Sequence, residues 1–305
     1  MNIRFGLCCI FLKEDIKFKT TTVTHILKLE RSDAIKKLSS LCLHNSVSLM
    51  QALEFCKSNQ IGCFRINSSI LPIKTHDAAG YDIKDLPDSE EIINNFQKAG
   101  QYAKENNIRT CFHPDQFVVL NSPKESVVSN SIKEIEYQAD VAEWVNADVV
   151  NIHAGAKFGG KEKCLEEFCR NFKRISSRAR NLLTLENDDV SYTPEDLLPI
   201  CEKIHIPLVY DIHHHRCNPD SLSEEFATKR AKETWNREPL FHLSSPINGY
   251  ESKDRRSHHD YIDQNDFPAF WRDEKITVEI EAKAKEIAIR KLMLELNFYA
   301  GSPLA

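Results

Sequence analysis

Thr184-Leu185-Glu186-Asn187-Asp188 closes a short apolar run, Leu182 to Leu185, with a carboxylate, an amide and a second carboxylate. A buried strand has no reason to stop on three such groups unless they meet something polar. The same kind of ending recurs along the chain. Val149-Val150-Asn151-Ile152-His153 comes before it, and Leu208-Val209-Tyr210-Asp211 and Leu240-Phe241-His242 come after it. Each is a β-prone run whose last residue can ligate a metal. These ends are expected to converge on one site, with Glu186 near its centre.

Outward from that stretch, the chain alternates between β-prone and helical segments. Strands are expected over 3–10, 63–67, 109–112, 148–152, 182–186, 207–211, 239–243 and 276–281. Helical periodicity covers 33–59, with a break near His44-Asn45, and then 88–106, 125–145, 161–179, 194–204, 221–235 and 283–298. Thr193 before Pro194 is a helix-start signal. Strict β-then-α order implies a parallel sheet. A count of eight strands favours a closed (β/α)8 TIM barrel, a single α/β domain over residues 1–305. The alternative, an open sheet with an extra lobe, lacks the usual nucleotide signals, because there is no GxGxxG and no Walker loop.

Bulk composition excludes several classes. Hydrophobic content of 41% and charged content of 28% are ordinary for a soluble globular protein. No apolar run approaches the ~18–20 residues of a membrane helix. Leu7 to Leu12, behind Arg4, reads as strand rather than signal peptide. Ten cysteines without a CxxC pair read as reduced thiols. A net charge of −5 rules out a coat of positive charge but leaves room for a local basic stripe. Ligand carboxylates exaggerate that charge wherever cations offset them.

In such a barrel the active site lies at the C-terminal strand ends. The polar residues expected there are His113, His153, Glu186, Asp211, His242 and Glu281. His214 follows Asp211 by three residues, and His258 lies in the loop after the seventh strand. A lone histidine at a strand end is commonly a hydrogen-bonded, half-buried side chain, and a lone carboxylate often caps the next helix. Six together point to metal. The mixed nitrogen and oxygen set suits Zn, Mn, Fe or Co. Eight ligands exceed the needs of one ion. Two or three ions bridged by a carboxylate, ~3.5–4 Å apart, can activate water and stabilise the leaving oxygen of a phosphodiester. Within His213-His214-His215, spacing alone does not choose the ligand. His25, His44 and His205 lack this context.

The motifs resemble those of the ultraviolet-damage endonuclease family, barrel enzymes related in fold to endonuclease IV. They are Phe64-Arg65-Ile66-Asn67-Ser68-Ser69, Phe112-His113-Pro114-Asp115-Gln116-Phe117, Asn151-Ile152-His153-Ala154-Gly155, Leu185-Glu186-Asn187-Asp188, Asp211-Ile212-His213-His214, Phe241-His242-Leu243-Ser244, Arg256-Ser257-His258 and Glu281-Ala282-Lys283-Ala284-Lys285-Glu286. They stand in family order and cover almost the whole chain. The resemblance implies ligands at His113, His153, Glu186, Asp211, His214, His242, His258 and Glu281, and so selects His214 from its triplet. His76 matches a further family histidine near the site. Gln116 and Phe117 match the pair that relatives push into the duplex at a lesion, where the second residue is often Tyr. Two positions depart from the pattern: Leu240, where relatives often carry Lys, and Leu7, where they often carry an aromatic.

The implied activity is a metal-dependent DNA repair endonuclease. It nicks duplex DNA immediately 5′ of cyclobutane pyrimidine dimers, 6-4 photoproducts and other distorting lesions, by metal-activated water. Glu186, Lys283 and His76 are its candidate catalytic residues. Arg65 and Arg256 are its phosphate contacts, with Lys157 a further one. Two or three divalent ions are implied, manganese first, then zinc, cobalt or magnesium. The partner is damaged double-stranded DNA, with no obligate protein partner and a monomeric chain. The location is cytoplasmic in a prokaryote and nuclear in a eukaryote. A sugar isomerase or epimerase on the same barrel, or a damage-binding protein without cleavage, are the alternatives.

Overall fold

The computed structural model describes residues 2–298. Its first half runs β1 (Ile3–Cys8), α1 (Val23–Ile26), α2 (Arg31–Ser58), β2 (Cys63–Ile66), α3 (Ser89–Glu105), β3 (Arg109–Phe112), α4 (Glu125–Val145) and β4 (Val149–His153). The second half runs α5 (Lys161–Phe172), α6 (Ser177–Leu182), β5 (Leu183–Glu186), α7 (Pro194–Ile204), β6 (Leu208–Asp211), α8 (Ile212–Cys217), α9 (Glu224–Glu233), β7 (Leu240–Leu243), β8 (Ile276–Ile280) and α10 (Lys285–Glu295). The eight strands pair in sequence order, all parallel, and β8 closes onto β1. This is the TIM barrel expected from the sequence, with helices outside.

Each strand is buried on both faces, and the faces differ in chemistry. Because side chains alternate along a strand, Phe64, Phe112, Val150, Leu185, Tyr210 and Phe241 point one way and join the core beneath the helices. The intervening residues point into the barrel. Cys63, Cys111, Val149, Val209 and Leu240 form a separate small apolar cluster there. Leu240, where relatives often carry Lys, is 1% exposed in that floor. Towards the C-terminal ends the inward positions turn polar. Register carries this round the wall: His153 pairs with Glu186, Asp211 with His242, and His242 with Glu279. Side-by-side partners share a face, so these groups meet inside.

Some boundaries differ from the sequence expectation, each for a local reason. β1 stops at Cys8 because Cys9 turns left-handed, with φ 68°. α2 runs unbroken past His44-Asn45. The Asn45 side chain reaches outward to the backbone of Lys19 and Ile70 and leaves the helix ladder intact. The single helix expected over 161–179 is two, α5 and α6. Ser176 caps α6 by accepting from Ala179 N, and Glu136 accepts from its N–H and hydroxyl. The helix expected over 221–235 is shorter, with Ser223 as its cap. The last helix starts at Lys285, which leaves Lys283 in a turn. α8, directly after β6, has no counterpart in the sequence reading.

α3 and α4 touch through Gly100. A Cβ there would lie 2.6 Å from the carbonyl carbon of Val145 and 2.7 Å from the Trp144 oxygen. Gly100→Ala therefore forces two backbones apart. Overpacking of this kind costs about 1–3 kcal/mol, and urea unfolding of the variant is expected to register it. An unchanged midpoint would mean that the helices separate freely.

Candidate metal centre

Glu186 ends β5 inside the barrel and is 1% exposed. A lone carboxylate there would be costly, and every neighbour answers its charge. Its Oε2 lies 2.9 Å from His113 Nε2 and 3.9 Å from His153 Nε2, and it accepts from the Asn151 amide. Its Oε1 lies 3.1 Å from His242 Nδ1 and 3.3 Å from His214 Nδ1. One carboxylate thus presents its two oxygens to two different groups of imidazoles. His113 donates Nδ1–H to its neighbour Pro114 O, 3.1 Å away, so that Nε2 is the nitrogen facing the site.

Three clusters of donor atoms result, each within the span of one ion: His113, His153 and Glu186; then Glu186, Asp211 and His214; then Asp211, His242 and Glu281. Consecutive clusters share a carboxylate, first Glu186 and then Asp211. His258 stands at the end of the row, its Nδ1 3.9 Å from Glu281 Oε2. Two buried atoms in these clusters, His153 Nδ1 and Asp211 Oδ2, have no hydrogen-bond partner. Orphaned buried donors and acceptors are rare in folded proteins. A mixed imidazole and carboxylate set with vacant lone pairs is what a divalent cation needs, so the residues fit such an ion.

Electrostatics follow from the crowding. Burial works against the Glu186 charge, yet His242, His153 and His113 outweigh it and hold the carboxyl well below its usual range. Burial likewise opposes protonation of His242, but Glu186 and Glu279 lift it to about 10. Asp211 and Glu186 lift His214 well above its ordinary value against the same penalty. Burial pushes His153 down, and His113 and His214 add to that against Glu186.

The other polar residues of the opening stretch have different work. Asn187 exchanges two hydrogen bonds with the backbone of Asp211, at 2.8 and 3.0 Å, and so ties β5 to β6. Asp188 belongs to none of the clusters and accepts from the backbone N–H groups of Val190, Ser191 and Tyr192. Asp211 caps α8, its Oδ1 accepting from His214 N at 2.7 Å, while Oδ2 faces the site. On α8, His213 contacts Tyr250 Oη at 3.1 Å and Arg256 O at 3.4 Å, and Cys217 O accepts from Arg255 Nη2.

The 3–302 span matches the family model described as UV-endonuclease UvdE. The chain belongs to that family. A UV DNA damage endonuclease of Bacillus velezensis is 34% identical over 315 residues, covering 99% of this chain and 96% of the relative. The crystal structure of SacUVDE superposes with a TM-score of 0.85 at 29% identity, covering 97% of this chain and 99% of that one. Endonuclease IV from Thermus thermophilus shares the fold, with a TM-score of 0.62 at 12% identity, covering 97% of this chain and 100% of that one. As a UvdE member the chain is a UV-damage repair endonuclease, a hydrolase.

Around the clusters, the remaining candidates of the sequence reading take separate places. Gln116 and Phe117 sit on the loop after β3, and Phe117 is 75% exposed. The loop is pinned, because Asp115 accepts from Phe117 N and Ser131 from Val119 N. A groove runs from that pair past Gly155 and Val190 to His153 and His214. Lys283 is exposed and shares a cavity with Arg65, Asn67, His258 and Glu281. Arg256 is exposed, with Nε 3.7 Å from Asp189. Lys157 is tied to Val190 O. His76 is exposed in the loop after β2, outside the clusters, with Nδ1 accepting from Ala78 and Ala79 N–H. Arg65 differs from these cations in its burial. It is buried and held by Glu279 and Glu281, while it lines the same cavity as Lys283. Glu279 and Asn151 were not singled out in the sequence. The signal was period two: each lies two residues before an expected ligand, Glu281 or His153.

A cation must displace the protons that His214 and His242 hold so firmly. Affinity of the metal-free protein for a divalent ion is therefore expected to rise with pH up to about 10, with protons released on binding. Calorimetry in buffers of different ionisation enthalpy counts those protons, and a pH-independent affinity would remove both histidines from the ligand set. Without metal the sign reverses. A histidine raised above its free value of ~6.5 stabilises the fold below that pH and loses this contribution as pH climbs through about 10.

Proposed function

We propose that the chain, acting as one domain over residues 1–305, nicks duplex DNA immediately 5′ of UV photoproducts. The lesions are cyclobutane pyrimidine dimers, 6-4 photoproducts and other distortions. Family membership supports the DNA substrate. The observation that carries the mechanism is Glu186, a buried carboxylate whose two oxygens serve two imidazole groups. In this reading His113, His153, Glu186, Asp211, His214, His242, His258 and Glu281 hold two or three divalent ions, manganese first and zinc, cobalt or magnesium otherwise. Such ions supply the electrophile that polarises the phosphodiester and acidifies a water.

The chain's own groups do the rest. Water attacks phosphorus in line and the bond to the 3′ oxygen breaks, leaving a 3′-hydroxyl and a 5′-phosphate. Lys283, beside Glu281 and His258, offsets charge that builds on the phosphoryl oxygens. His76 has one ring nitrogen engaged by its loop, and the other serves at the rim without binding an ion. Arg256 steadies backbone phosphate, which positions a duplex without reading its lesion. Gln116 and Phe117 read the lesion by wedging. A damaged pair is cheaper to unstack, so discrimination comes from deformation energy. Phe117 suits this because it is exposed on a pinned loop and keeps a full stacking face.

Glu186→Gln is expected to abolish nicking of irradiated duplex and to lower bound metal by elemental analysis, with little change in circular dichroism. Near-normal nicking would sink the assignment.

Replacing Gln116 and Phe117 together with Ala is expected to weaken binding to damaged duplex roughly tenfold or more, since one aromatic–base stack is worth about 1–3 kcal/mol. Undamaged duplex should lose much less. Equal losses on both, in a fluorescence titration, would show contact with backbone alone.

A further inference from the structure

Glu279 is a buried acid that the proposed reaction does not use. It sits inside the barrel on β8, 1% exposed, two residues before Glu281. Its Oε2 lies 2.9 Å from His242 Nε2 and accepts from Arg65 Nε at 2.8 Å. Its Oε1 accepts from the Cys111 thiol at 2.9 Å. Arg65 also donates to Glu281 Oε1 at 2.6 Å. The opposite ring edge of His242 faces Glu186, Glu281 and Asp211, with Nδ1 at 3.1, 3.6 and 3.9 Å from their oxygens. His242 thus stands between a carboxylate behind it and the candidate ligands in front.

We propose that Glu279 is a positioning residue for the metal centre, accepting the Nε2–H of His242 so that Nδ1 is presented to the ion. The proposal rests on the metal-centre reading above. A ligating nitrogen carries no proton, so Nδ1 as ligand leaves Nε2 as N–H. Arg65 Nη2 also lies 2.9 Å from Nε2, but a guanidinium only donates. Once Nε2 carries the proton, Glu279 is the acceptor within reach. Histidine ligands characteristically give their second N–H to a carboxylate, which fixes the tautomer and strengthens the donor.

Two features separate this from an ordinary buried ion pair. Arg65 already has Glu281, so a second carboxylate leaves the trio with an excess negative charge that an imidazole N–H can use. The barrel also makes room for the acid. Gly6 is its register partner on β1, and a Cβ on Gly6 would lie 3.0 Å from Glu279 Cγ and 3.2 Å from Cys63 Cβ. The Cys111 thiol and Arg65 hold the carboxylate in that space.

The test is Zn²⁺ binding to the full chain, by chelator competition and by metal-dependent thermal shift, in wild type and Glu279→Gln. The expected result is a dissociation constant about 10–100-fold higher for one ion, and a smaller Zn²⁺-induced rise in Tm. A purely structural role would lower Tm alike with and without Zn²⁺ and leave affinity unchanged, and that outcome overturns the proposal. A second measurement needs no Glu279 variant. Long-range proton–nitrogen correlation of the histidine rings in Zn²⁺-loaded wild type should show His242 protonated at Nε2, with the signal assigned by its loss in His242→Gln. A proton on Nδ1 instead overturns it. Wild type that takes up no Zn²⁺ or Mn²⁺ at all defeats the metal-centre reading itself, and the role of Glu279 falls with it.

Discussion

A charge buried inside a closed barrel needs partners on every side, and Glu186 has them. Four imidazoles and an amide surround one carboxylate, drawn from the end of β3, from β4 and β7, and from the helix after β6. No single hairpin or helix could gather donors from that many directions. Closure of the sheet does so without long loops, because it brings these strand ends round to face one another. Removing one donor leaves a charge in a low-dielectric space, where an unpaired ion costs several kcal/mol. The site and the fold are therefore tied together by the same desolvation.

The same strands carry two incompatible tasks on alternate residues. Outward positions are aromatic and aliphatic and lock the helices on. Inward positions begin small and apolar, Cys63, Val149, Val209 and Leu240, and end polar. The small floor sets the depth at which charge can begin. Above it Arg65 is the cation that lets Glu279 and Glu281 coexist in one wall. Lys283 and Arg256, by contrast, stand exposed on loops.

The barrel was legible because periodicity and strand count are global properties, and a locally misplaced boundary does not alter them. The candidate ligands were legible because they punctuate apolar runs. What escaped were residues whose role depends on register. Glu279 lies within an apolar strand, where period two gives its direction, but only the register with Gly6 and His242 gives its partners. Arg65 reads in the sequence only as a strand-end cation. Its burial beside two acids is set by strands far away in sequence. Asp188 was grouped with Glu186 by adjacency, yet neighbours on an extended chain diverge, and the loop's own N–H groups claimed it. α8 was missed because six residues are too few for periodicity, and its start is a cap by a residue read as a ligand.

That cap gives Asp211 two jobs on two oxygens. Oδ1 fixes the first turn of α8 and Oδ2 faces the clusters. From the far side of the same short helix, His213 and Cys217 hold the segment bearing Tyr250, Arg255 and Arg256. Helix, carboxylate and arginine segment are thus joined by hydrogen bonds through α8. A substitution that displaces α8 would therefore disturb the candidate clusters and the Tyr250–Arg256 segment together.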